Sequence, residues 1–225
     1  MRTNNRRARM ASAAFLILML LPRLADAQTF SSTGSMGGAR DSHTATLLTN
    51  GKVLVAGGEE SSGTPLASAE LYNSATGTFS TTGNMLEPRL FHTATILQNG
   101  KVLVVGGFGL TGAPTSSAEL YDPSASTFTS TGSLNEARHS HTATLLASGK
   151  VLIVGGADTD GTAIADAELY DPALGAFTLS DNLTDARMIH TATLLPDGTV
   201  LVAGGMGLSG GLATAELYDP ATNSF

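Results

Sequence analysis

From residue 40 onward the chain repeats one pattern of apolar and polar positions. In its second copy, His92-Thr-Ala-Thr-Ile-Leu97 is short and rich in β-branched residues, and polar Gln98-Asn99-Gly100 follows. Next comes a continuous apolar run, Lys101-Val-Leu-Val-Val105, closed by Gly106-Gly107. The first stretch reads as a strand, and the second as a strand buried on both faces. Asn-Gly between two apolar runs predicts a tight hairpin with a type I′ turn, which needs positive φ at both central residues. The other copies place Asn50-Gly51, Ser148-Gly149 and Asp197-Gly198 there. A variable loop follows the glycine pair. Ser117-Ala-Glu-Leu-Tyr121 is then a third strand, and Asp122-Pro123 opens a turn in which the Asp side chain bonds forward to the backbone. Thr127-Phe-Thr-Ser-Thr131 is the fourth strand.

The copies share a fixed period. Arg40, Arg89, Arg138 and Arg187 stand 49 residues apart, as do His43, His92, His141 and His190. Tyr72, Tyr121, Tyr170 and Tyr218 close the third strands, so the last copy is one residue shorter. A period near fifty marks a repeat architecture. No helical period occurs after residue 27, so the fold class is all-β. Four antiparallel strands per repeat make one blade of a β-propeller. The repeats span about 37–85, 86–134, 135–183 and 184–225.

Arg-x-x-His-Thr-Ala, an apolar strand, Gly-Gly, Tyr-Asp-Pro and a later aromatic together resemble the kelch repeat. The resemblance covers residues 28–225. Many kelch repeats carry Trp in the fourth strand, where this chain has Phe79, Phe128, Phe177 and Phe225. Phenylalanine can fill the same gap between blades with no N–H to satisfy.

Phe225 stands where the fourth repeat's last strand begins, and Phe30 precedes Phe79 by the same 49 residues. Residues 28–36 are therefore expected to supply the closing strand of a four-bladed ring. Two alternatives stay open: a truncated or open arc, since kelch propellers more often resemble six- or seven-bladed rings, and an oligomer in which two arcs join.

Residues 1–27 read differently. Arg2, Arg6, Arg7 and Arg9 precede an apolar stretch from Ala11 to Leu21, and Ala25-Asp26-Ala27 offers small residues before Gln28. That is the grammar of a cleaved secretory signal peptide, and the apolar stretch is too short to span a membrane. The expectation is a secreted or periplasmic protein with no membrane association after cleavage. Beyond residue 27 remain seven basic and eighteen acidic residues, a net charge of −11, which disfavours nucleic acid. The sequence has no cysteine, so packing alone must hold the fold. Glycine-rich composition with only 14% charged residues suits short strands and tight turns.

Topology puts the long second-to-third-strand loops and the four arginines on one face, and the tight turns on the other. Loops on a rigid scaffold are where binding concentrates. Arg40, Arg89, Arg138 and Arg187 are thus the candidate ligand-binding residues, able to hold an anionic or polyhydroxyl ligand by forked hydrogen bonds. The resemblance allows arginines here to line a pocket. The competing reading is structural: each could pair between blades with Glu87, Glu136 or Asp185, or with Glu70, Glu119, Glu168 or Glu216. The four histidines read as hydrogen-bonded residues between blades rather than metal ligands, and His139 as a loop residue. Asp158-Thr-Asp160-Gly161 starts like a calcium loop but lacks its continuation. No metal, cofactor or catalytic residue is assigned. The expected function is a binding module for a protein or glycan. The alternatives are a sugar-active enzyme resembling kelch epimerases or a non-functional fragment. The copper-oxidase type needs a cysteine that is missing. Near-perfect repeat symmetry favours binding over catalysis.

Overall fold

The computed structural model describes residues 30–225. The signal peptide expected at 1–27 lies outside them. The chain divides into two units, Met1–Ser32 and Thr33–Phe225, and the second holds every strand found among the described residues. Residues 30–36 carry no strand.

The repeats fold as four successive blades of a β-propeller, and no helix occurs among the described residues. Blade 1 comprises β1 (Thr44–Leu47), β2 (Val53–Ala56), β3 (Ala69–Asn73) and β4 (Thr78–Thr81). Blade 2 comprises β5 (Thr93–Ile96), β6 (Val102–Val105), β7 (Ala118–Asp122) and β8 (Thr127–Ser130). Blade 3 comprises β9 (Thr142–Leu145), β10 (Val151–Val154), β11 (Ala167–Asp171) and β12 (Ala176–Leu179). Each pairs in sequence order as a four-stranded antiparallel sheet. Blade 4 is a three-stranded sheet of β13 (Thr191–Leu194), β14 (Val200–Ala203) and β17 (Ala215–Tyr218). Its loop carries a small hairpin, β15 (Met206–Gly207) with β16 (Gly210–Gly211).

The apolar run of the second strand does bury both faces. Val102 and Val104 of β6 pack into one cluster with Leu54 and Leu71 of blade 1. Leu103 and Val105 pack into the next, with Val151, Ile153 and Tyr170 of blade 3. The same arrangement joins blade 3 to blade 4 through Leu152, Val154, Val200, Val202 and Tyr218. The core is thus a series of inter-blade layers, and hydrophobic burial between blades is its main driving force. Phe128 fills the first layer and Phe177 packs on the second, each tilted against the tyrosine of its own blade at 4.8 Å.

The first hairpin of each blade departs from the expected turn. Only the glycine of each pair has positive φ: 80° at Gly51, 80° at Gly100, 85° at Gly149 and 92° at Gly198. Gly51 N donates to the Leu48 carbonyl and Leu48 N to the Lys52 carbonyl. This is a three-residue loop, a tight turn followed by one left-handed glycine. Asn50 therefore stays right-handed, and its Oδ1 accepts from Lys52 N at 3.1 Å. The second hairpin follows the expected Asx geometry, with Asp122 Oδ1 accepting from Ser124 N at 2.9 Å.

The linker ahead of each blade docks on that blade's outer hairpin. Gly83 N bonds the Ser126 carbonyl and Gly132 N the Gly175 carbonyl. Ahead of blade 1, Gly34 N bonds the Gly77 carbonyl and Thr33 Oγ1 meets Tyr72 Oη at 2.8 Å.

Candidate functional site

Each arginine sits on the linker entering a blade and turns back into that blade. Arg89, Arg138 and Arg187 have 0% exposure. Arg89 Nη1 donates to the Gly106 and Ser117 carbonyls at 2.9 and 3.1 Å. Its Nη2 donates to Ser117 Oγ at 3.0 Å and Glu119 Oε1 at 2.7 Å. Arg138 pairs with Glu168 at 3.0 Å, Arg187 with Glu216 at 2.8 Å and Arg40 with Glu70 at 3.1 Å. The pairing lies within one blade rather than between blades. The same carboxylates also accept backbone amides of the linker: Glu119 takes Leu86 N and Glu87 N, and Glu168 takes Asn135 N. A carboxylate so placed fixes both the linker and the guanidinium, whose Nη hydrogens are committed inside the blade.

The histidines start the innermost strands, and here the contact does run between blades. His92 Nε2 meets Thr44 Oγ1 of the preceding blade at 3.0 Å, His141 meets Thr93 at 2.9 Å and His190 meets Thr142 at 2.9 Å. Burial, then the neighbouring Arg89 charge, pulls His92 down to about 3. Burial and Arg187 pull His190 down to about 4, and His141 is well below its ordinary value for the same reasons. These rings are neutral near pH 7. Among the described residues no group of three or more His, Cys, Asp or Glu is placed to hold a metal.

Between each arginine and histidine lies a residue that sequence reasoning passed over. Ser42, Phe91, Ser140 and Ile189 all adopt positive φ, between 52° and 55°. Phe91 N bonds the Ser42 carbonyl, Ser140 N the Phe91 carbonyl and Ile189 N the Ser140 carbonyl. This backbone ladder links blade to blade along the inner strands. Left-handed geometry is uncommon for such side chains, and rarer still for a β-branched Ile. With the four histidines, these residues line a mouth of about 340 Å³ on the face that bears the loops. Phe91 is 45% exposed and Ile189 66%. The available signal was that this position varies in chemistry while its neighbours repeat.

The surrounding loops add apolar and aromatic surface. Leu110, Met206 and Leu208 are exposed. Phe108 lies edge-on to Phe91 at 6.4 Å and close to the His139 ring at 4.0 Å, so His139 belongs to this surface. Asp158 Oδ1 accepts from Asp160 N and Thr162 N, both at 2.9 Å, and so closes its own loop.

Blade 3 breaks the symmetry once. Asp166 stands where Ser68, Ser117 and Thr214 accept from their arginines. A hydrogen bond with Asp166, then burial, holds the Glu136 carboxyl above the ordinary carboxylate range.

A family model described as the Kelch motif matches residues 42–86 and 88–135. No curated protein matches the chain.

Proposed function

From the premise that this chain belongs to the kelch-repeat family, whose repeats serve as protein-interaction modules, we propose an exported binding module. It holds a protein ligand on its loop face, centred on the axial mouth. The observation that carries this reading is the set Ser42, Phe91, Ser140 and Ile189. One repeat position, locked by a backbone ladder, presents four side chains to solvent, two of them large and apolar. A rigid frame with exposed aromatic and aliphatic anchors suits recognition, because little ordering is left to do on binding. In this reading the four arginines hold the frame and do not touch the ligand, since their Nη donors are already used. Export rests on the N-terminal grammar, and N-terminal sequencing of the released protein should begin at Gln28.

The test compares the exported protein with a F91D/I189D variant. Extracytoplasmic proteins captured by the wild type by cross-linking are re-measured individually for binding. A central anchor contributes at least about 2 kcal/mol, so the variant should bind more than tenfold more weakly with its thermal midpoint unchanged. Leu174→Asp, on the tight-turn face, should bind normally. Equal loss in both variants, or none in either, would refute the assignment of the face. An array of glycans probed in parallel separates a sugar ligand, which would stack on Phe91, from a protein one.

A further inference from the structure

The three blade junctions are built alike, and both halves of the same junction recur at the ends of the series. Three kinds of hydrogen bond cross each junction. Threonine of one inner strand meets histidine of the next, as Thr44 meets His92. The second glycine of a pair donates to the next arginine's carbonyl: Gly58 to Arg89, Gly107 to Arg138 and Gly156 to Arg187, each at 2.9 Å. The axial ladder supplies the third.

Blade 4 presents the donor half of that pattern to no blade among the described residues. Thr191 Oγ1 reaches only the Ala203 carbonyl of its own sheet, at 3.5 Å. A Cβ on Gly57, Gly106 or Gly155 would strike the next repeat's arginine carbonyl, whereas one on Gly204 would meet nothing nearer than the Leu212 carbonyl at 3.7 Å. Leu217 is 52% exposed, while Leu71 at the same position of blade 1 is 8% exposed. Blade 1 presents the acceptor half. Leu47 is 64% exposed, while its counterpart Leu145 packs into the layer between blades 2 and 3. The ladder has a free end on each side as well, because among the described residues no bond joins Ser42 N to the Ile189 carbonyl.

We infer that a second copy of this chain docks head to tail, blade 4 of each on blade 1 of the other. The two exposed halves match each other three times inside the chain, so a second copy already carries the complementary surface in the right register. Such a contact is heterologous, and it stays soluble and finite only if the rotation closes. Two arcs of four blades close as eight, within the range of about 4 to 8 that propellers use. The contact would add two inter-blade layers to the three within each copy.

Analytical ultracentrifugation of the exported protein across micromolar concentrations should show a two-copy species. Leu47→Glu and Leu217→Lys each change an exposed side chain, so each should keep the wild-type circular dichroism and thermal midpoint but associate at least tenfold more weakly. Mixing the two variants should restore the two-copy species, since one junction then joins opposite charges and the other is unchanged. An independent measurement uses Leu47→Cys with Leu217→Cys in this cysteine-free chain, where oxidation should link two chains. A wild type that remains monomeric, variants that associate like wild type, a mixture that stays monomeric, or a cross-link formed within one chain would each overturn the inference.

Discussion

At the scale of single residues, the repeat places its charges where they can only be structural if paired. Arg138 and Glu168 are both fully buried and 3.0 Å apart. Removing one partner strands the other charge in the interior, so Arg138→Ala should lower stability by about 3 to 5 kcal/mol in urea titration. The exposed Lys150–Asp171 pair is the control, and Lys150→Ala should change little. Titration of the histidines sets a pH limit. Unfolded, these rings bind protons below about 6.5, whereas folded His92 does so only near 3 and His190 near 4. The unfolded chain therefore takes up more protons as pH falls, and acid favours unfolding. The urea midpoint should be flat above about pH 7 and fall between pH 6.5 and 4, and His92→Gln should flatten that slope. Equal spacing of Arg and strand Glu made the pairing legible in sequence. The shared proton of Glu136 and Asp166 was not, because it depends on a linker folding back over a strand 30 residues later.

At the scale of the element, the glycine pairs show how one motif acquires different weight in different places. Gly155 and Gly204 occupy the same position and have φ of 57° and 66°. An alanine at either is strained by about 1 kcal/mol or more, because L-residues resist left-handed geometry. Gly155 also receives the Arg187 carbonyl and the His190 ring, and Gly204 receives no such neighbour. Gly155→Ala should therefore cost clearly more than Gly204→Ala, each read by chemical denaturation. Equal costs would mean that the backbone conformation alone matters. Strand order and buried strands were readable from apolar runs and turn residues. The hairpin type was not. Asn-Gly is compatible with two loop lengths, and the choice falls to the register that pairs Leu47 with Val53.

At the scale of the whole molecule, stability is a sum over neighbouring blades, and the outer blade has fewer neighbours. β17 pairs with β14 on one side only, whereas β7 and β11 are paired on both. In the L217K chain, which lacks the proposed head-to-tail contact, β17 amides should exchange faster than those of β7 and β11 by hydrogen-exchange mass spectrometry. Uniform protection would show that the arc unfolds as one unit. The sequence by itself determined the repeat, the strand order, the blade count and the faces, because periodic burial and turn chemistry are local and recur at fixed spacing. Tertiary structure decided the rest. Facing Glu119 and the Ser117 and Gly106 carbonyls turns Arg89 from a candidate ligand contact into a buried brace. Stacking of inner strands gathers Ser42, Phe91, Ser140 and Ile189, far apart in the chain, around one mouth. Both outcomes depend on which surfaces meet across a junction, and hydrophobic periodicity says that a face is buried without saying what it is buried against.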